Sequence, residues 1–230
     1  MAIDLKKYLT EQYQRSIQSN RSPGPVITIS RQYGCNAKEL ASILSKRLNL
    51  INEENKLKNR WNWINKEIFE GTAKALNLRE SRILHVFEGE KKGLVESIIL
   101  SSSEKYYASD TKIKKKIIEI VRSFAEQGHI IIIGLASAAI CRDIKKSLHI
   151  RLEAPFDWRV QQSSKRRKRT IEEMAVYASS IDKKRDKFRD SFIQKIDATE
   201  MFDLSFNCKT MDFNEIVETV VCILKKRGMI

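Results

Sequence analysis

Apolar residues recur along this chain in short β-branched runs separated by stretches of helical spacing. Val26-Ile-Thr-Ile-Ser30 and Ile130-Ile-Ile-Ile133 are the densest runs; Leu148-His-Ile-Arg-Leu152 and Leu204–Cys208 are weaker ones. Their brevity and continuity predict strands covered on both faces. Leu40, Ala41, Leu44 and Leu48 share one side of a helix predicted over 38–48, and Ile113, Ile117, Ile120, Val121 and Phe124 line another over 111–127. Met174, Ala178, Ile181, Arg185, Phe188 and Phe192 form a third stripe, on a helix running to about residue 193. Thr170-Ile-Glu-Glu173 and Asp212-Phe-Asn-Glu215 have the spacing of helix caps, and Pro155 is placed to open a helix. Trp61–Ile64 predicts an edge strand, Asn52–Arg60 an exposed excursion, and 66–100 an interrupted helical region. The first 20 residues predict a loosely amphipathic helix, ended by Ser22-Pro-Gly-Pro25.

Strands alternate with helices and none is joined by a hairpin turn. The expected fold class is therefore α/β, three-layered α/β/α, with a mostly parallel sheet of about five strands in one domain. Such sheets bind ligands at the carboxyl ends of their strands, so the turns at 31–37, 134–137 and 153–157 are expected to converge.

Charge narrows the partners. Across 230 residues, 43 Lys and Arg face 29 Asp and Glu, a net +14 that favours anionic ligands. No run approaches the roughly 20 apolar residues of a membrane helix. The N-terminus lacks the pattern of a secretion signal, so the expected compartment is cytoplasmic. Cys35, Cys141, Cys208 and Cys222 form no metal-site spacing with His85, His129 and His149, so no structural metal is expected.

The candidate chemistry sits after the first strand, in Arg31-Gln-Tyr-Gly-Cys-Asn-Ala-Lys-Glu39. Strand, turn, lysine and helix start make an anion site. Against the pattern G-x-x-x-x-G-K-S/T only Lys38 fits: Gln32 and Ala37 hold the glycine positions and Glu39 the hydroxyl position. An ordinary βα turn with a surface lysine remains the other reading. Arg185, inside an apolar stripe, demands a carboxylate or a phosphate, and Asp182 three residues earlier is placed to orient it.

Val26–Ala41 resembles the opening of the cytidylate kinase-like family, whose pattern is close to ITISREYGSGGREIA. Ile64–Ile68, Ile131–Gly134, His149–Pro155 with Trp158-Arg159, Thr170–Ala175, Asp182–Arg185 and Asp203–Asn207 are similar to that family's later motifs, in order. The resemblance implies a P-loop nucleoside monophosphate kinase fold, with an NMP-binding lobe over 52–100 and a lid over 159–175 carrying Lys165–Arg169. It implies transfer of the γ-phosphoryl group of ATP, as its Mg²⁺ complex, to a nucleoside monophosphate such as CMP. Lys38, Arg159 and Arg185 would be catalytic. Arg31, Gly34, Cys35, Asn36, Ala37, Lys38 and Glu39 would bind nucleotide; Lys66, Asp182 and Arg185 would bind the acceptor. No protein ligand for Mg²⁺ is identified. Glu39, Asn65 (for Asp) and Leu135 (for Arg) depart from the family pattern. A catalytically impaired nucleotide-binding module therefore stands as the alternative, with a basic nucleic-acid binder behind it.

Overall fold

The computed structural model describes residues 24–65, 104–192 and 200–230, without the side chains of 104–113 and 116. The helices expected over 1–20 and 66–100, and Lys66, lie outside the described residues. Five strands, β1 (Val26–Arg31), β2 (Asn62–Ile64), β3 (Ile130–Ile133), β4 (Ser147–Glu153) and β5 (Leu204–Asn207), form one sheet in the order β2-β3-β1-β4-β5. All four pairings are parallel; Ile29 sits between Ile133 and Ile150 in register.

Residue alternation divides the sheet between two helical layers. Ile27, Ile29, Ile131, Ile133, Leu148, Ile150 and Leu152 pack against α1 (Ala37–Glu54) and α6 (Phe213–Lys226). Val26, Ile130 and Ile132 pack on the other face against α2 (Glu104–Gln127) and the one-turn α3 (Ser137–Ile140). The expected three-layer α/β/α architecture is what forms. Two further helices, α4 (Phe156–Arg167) and α5 (Ile171–Asp190), join through Val160, Met174 and Ala178, with Tyr33 packed on that small core. Both predicted capping boxes close: Thr170 caps α5 and Asp212 caps α6.

Helix α1 corrects one expectation. It runs on to Glu54, past the predicted end at Leu48, so residues 52–54 are helical, with Asn52 buried while Glu53 and Glu54 are exposed as expected. Ile51 and Asn52 are buried, and Asn52 Nδ2 donates to the Asn59 carbonyl (2.7 Å). Polar Asn52 hid the continuation, because its side chain is satisfied by the chain folding back and not by water.

His149, on β4, is buried with Nδ1 2.8 Å from Thr28 Oγ1 and Nε2 3.1 Å from Ser147 Oγ. Burial lowers its pKa, against an opposing pull from Asp203, and burial also lowers that of His129. In the unfolded chain these imidazoles titrate near 6.5, so as pH falls through that value the unfolded state takes up protons that the folded state refuses. Stability is therefore full above about pH 6.5 and declines on acidification toward the depressed folded value. The thermal midpoint should fall between pH 7 and pH 5, and His149→Asn, though less stable at pH 7, should show a shallower fall.

Candidate functional site

β1 ends in the crevice where the sheet's connections diverge, since β3 lies on one side of it and β4 on the other. The chain then turns through 32–36 into α1. Gln32 secures the turn to β4: its N–H donates to Leu152 O (2.9 Å), and its Oε1 accepts from Ala154 N (3.1 Å). Gly34 has φ +98°, and a Cβ there would lie 2.8 Å from Arg159 Cβ. Only glycine allows that contact at that dihedral. Asn36 precedes α1 without capping it; its Nδ2 donates to Glu39 Oε2 (2.7 Å). The first turn of α1 is thus not closed by the Asn36 side chain.

What shapes the turn lies beneath it. Arg159, 5% exposed, donates from Nε to Ala154 O (2.9 Å) and from Nη1 to Tyr33 O (2.8 Å) and Asp182 Oδ2 (2.6 Å). Asp182 Oδ1 accepts from the Tyr33 N–H (2.6 Å). The Tyr33 residue is gripped at both its N–H and its carbonyl by an ion pair between α4 and α5. Such a pair is tolerable in a dry site only when its remaining hydrogen bonds are made, as here.

Above the turn opens a cleft of about 520 Å³, lined by the turn, α4, α5, Asn65 and the end of β3. Five cationic residues line it, Arg31, Lys38, Arg166, Arg167 and Arg185, and no carboxylate does among the described residues. Arg166 Nη2 donates to Gly34 O (2.7 Å), while Arg167 sits 5.7 Å over the Tyr33 ring and 5.3 Å over Tyr177. Arg185 donates to Arg31 O (3.2 Å) and lies 3.8 Å from Asp182 Oδ1. Desolvation lowers its pKa, and Asp182, the next influence, raises it. An incoming anion would relieve that charge.

Beside this cleft, Arg31 reaches across Gly134, where a Cβ would collide with its Nη1. Gly134, Leu135 and Ala136 all have positive φ (71°, 61°, 53°), and for the two non-glycines each costs of order 1 kcal/mol or more. A second recess of about 280 Å³ adjoins the cleft, sharing Gly34, Cys35, Asn36 and Arg166 with it and lined further by Glu39, Trp158, Gln162, Cys208, Met211, Asp212 and Phe213.

A magnesium ion held by protein side chains does not fit this site. The hydroxyl position after Lys38 is Glu39, whose carboxylate takes Asn36 Nδ2 and lines the second recess but not the cationic cleft. Among the described residues no group of three or more His, Cys, Asp or Glu could hold a metal. Nor is any described helix long and apolar enough to cross a membrane.

The first expected turn touches each of the other two, through Arg31 at Gly134 and Gln32 at Ala154, but no residue of 134–137 or 153–157 lines the cationic cleft, so the expected convergence of all three on one site is not what forms. Arg31, Gly34, Cys35, Asn36, Ala37, Lys38 and Arg185 border the cationic cleft, and Glu39 the neighbouring recess. Arg159 and Asp182 instead sit under the turn, paired with each other. The sequence reading missed Tyr33, Tyr177, Trp158 and Met211. Tyr33 stood inside the quoted motif, and the spacing Arg159, Ser163, Arg166, Arg167 marks one helix face, which is signal enough for the cleft-facing arginines.

This is a parallel α/β fold with a cationic cleft at the carboxyl end of its first strand. Residues 26–210 match the model of the cytidylate kinase-like family, and the chain belongs to that family as a nucleotide kinase-like protein. An uncharacterised protein from Eubacterium ventriosum ATCC 27560 has the same fold, at TM-score 0.63 and 13% identity over 88% of this chain and 98% of that one. Shikimate kinase from Acinetobacter baumannii (TM-score 0.48, 9% identity, 88% and 94% covered) is also similar. So is a gluconokinase from Sinorhizobium meliloti 1021 (0.47, 10%, 90% and 94%). No curated protein matches the chain significantly.

Asp182→Ala should destabilise the protein by about 3–5 kcal/mol in denaturant titration, since it strands a buried guanidinium. Arg159→Met combined with Asp182→Leu should recover a large part of that loss.

Proposed function

We propose that the chain binds a nucleoside triphosphate in the cationic cleft and passes its terminal phosphoryl group to a nucleoside monophosphate, with CMP as the acceptor to test first. The carrying observation is the cleft's lining: five cationic residues and, among the described residues, no carboxylate. Phosphoryl transfer is chiefly positioning and neutralisation of charge spread over three equatorial oxygens. Lys38 and the 34–38 turn would hold the donor's β- and γ-phosphates at the start of α1. Arg185 and Arg31 would face the transferring group from the acceptor side. Arg166 and Arg167, at the end of α4, would act as its lid-side partners. Arg159 and Asp182 serve as positioning residues for the turn. Trp158, Met211 and Phe213 offer apolar surface beside it for the donor's base.

The acceptor class follows from what the cleft would have to supply. A sugar hydroxyl needs a base to take its proton. A monophosphate, with a second pKa near 6, arrives with an ionised oxygen and needs none. No carboxylate or histidine lines the cationic cleft among the described residues, which supports a phosphate acceptor. In the transfer this oxygen forms the new P–O bond, the bond to the donor's β-phosphate oxygen breaks, and that oxygen leaves as the diphosphate. No step is assigned to a protein-held metal; any divalent ion would be carried by the phosphates themselves.

Glu39 and Leu135 favour a second reading, a nucleotide-binding module without turnover. A panel of nucleoside mono- and triphosphates, with and without Mg²⁺, separates the two by melting temperature and by coupled release of diphosphate. Turnover is expected with a triphosphate and CMP together, and Lys38→Ala or Arg185→Ala should reduce it at least a hundredfold. Stabilisation without turnover would support the module; neither effect would sink both readings.

A further inference from the structure

Two of the four free thiols meet at the phosphate turn. Cys35 is buried at its crown; Cys208, half-buried, follows β5. Their strands flank β4 on opposite sides, and both turns are tied to its last residues, with Gln32 N on Leu152 O (2.9 Å) and Cys208 N on Glu153 O (2.8 Å). The two thiols shift each other's ionisation and border the same open recess. Neither sulfur takes a chemical step in the proposed phosphoryl transfer, although Cys35 belongs to the turn that would hold the donor.

We propose that Cys35 and Cys208 are a redox-modification site, which hydrogen peroxide closes into a disulfide across the recess beside the phosphate turn. Cys208 is the attacking thiol. It is the less buried of the two at the recess, and its interaction with Cys35 lowers its pKa while the same interaction and burial raise that of Cys35. Its thiolate sulfur attacks one peroxide oxygen and the O–O bond breaks. The hydroxide released takes up a proton as water and Cys208 becomes a sulfenic acid. Cys35 then loses its proton as its sulfur attacks the Cys208 sulfur. The S–S bond forms, the S–O bond breaks, and hydroxide plus that proton leave as a second water. Two thiols are oxidised by two electrons and one peroxide is reduced to two waters. The disulfide fixes the crown of the turn to the end of β5, narrowing the recess read above as the place of the donor's base; this consequence rests on that reading, whereas the crosslink does not.

The test uses the full chain carrying Cys222→Ser, which removes the exposed thiol. After peroxide treatment, peptide mapping without reductant should recover Cys35 joined to Cys208, reversed by dithiothreitol. Cys35→Ser should instead leave a Cys208 sulfenic acid that dimedone traps. Accumulation of Cys208 sulfinic acid in place of the crosslink, or no reaction at either thiol, would overturn the proposal. In the parent, oxidation should weaken ATP-induced thermal stabilisation at least tenfold in apparent affinity. A crosslinked protein that binds ATP unchanged overturns the control of binding. A reduced protein that never responds to ATP removes the nucleotide reading, and the crosslink map still decides the thiol site.

Discussion

The Arg159–Asp182 ion pair is the constraint on which the site depends. It joins α4 to α5, and the Tyr33 residue is held between its two charges. A phosphate-binding turn commonly gets its shape from glycines, which accept any dihedral. Here one glycine, Gly34, is followed by Cys35, Asn36 and Ala37, and the shape comes from outside, through hydrogen bonds to the buried charges below. The arrangement is self-limiting. Neither charge could be buried alone, and together they are satisfied only when the turn is in place.

That same pair sets the electrostatics above it. Asp182 pairs with Arg185, but its oxygens are taken by Tyr33 N and Arg159 at 2.6 Å, leaving Arg185 at 3.8 Å. The carboxylate that sequence spacing offered to Arg185 is therefore already engaged. Positive charge accumulates in the cleft, and Arg166 and Arg167 are held there by Gly34 O and by the Tyr33 and Tyr177 rings. Positive residues held at rest lose little further freedom when an anion arrives, which is the physical content of preorganisation.

The sheet and its layers were legible because hydrophobic burial leaves a periodic trace. The β-branched runs at 26–30 and 130–133 and the two capping boxes appear where their spacing puts them. The end of α1 was not legible, because a buried asparagine satisfied by a distant carbonyl reads as a polar break. The division of labour among the arginines was hidden for a similar reason. Arg159 and Arg185 carry the same charge on comparable helices, and only the third dimension shows that one grips Asp182 at 2.6 Å while the other opens to the cleft. A charged residue's role is decided by its partner, and sequence order does not name partners 23 residues away.

Helix α1 has one more property. Its amino end forms the rim of the 32–36 turn, and its far half is pinned to the chain entering β2, where Asn49 exchanges two hydrogen bonds with Trp61 (3.0 and 2.7 Å). Eighteen residues at 1.5 Å each make a stiff rod of about 27 Å. A tilt imposed at one tip is delivered to the other with little lost in bending, at the outermost strand. A displacement of the 32–36 turn and the posture of the sheet's β2 margin are in this way mechanically geared, with no loop between them.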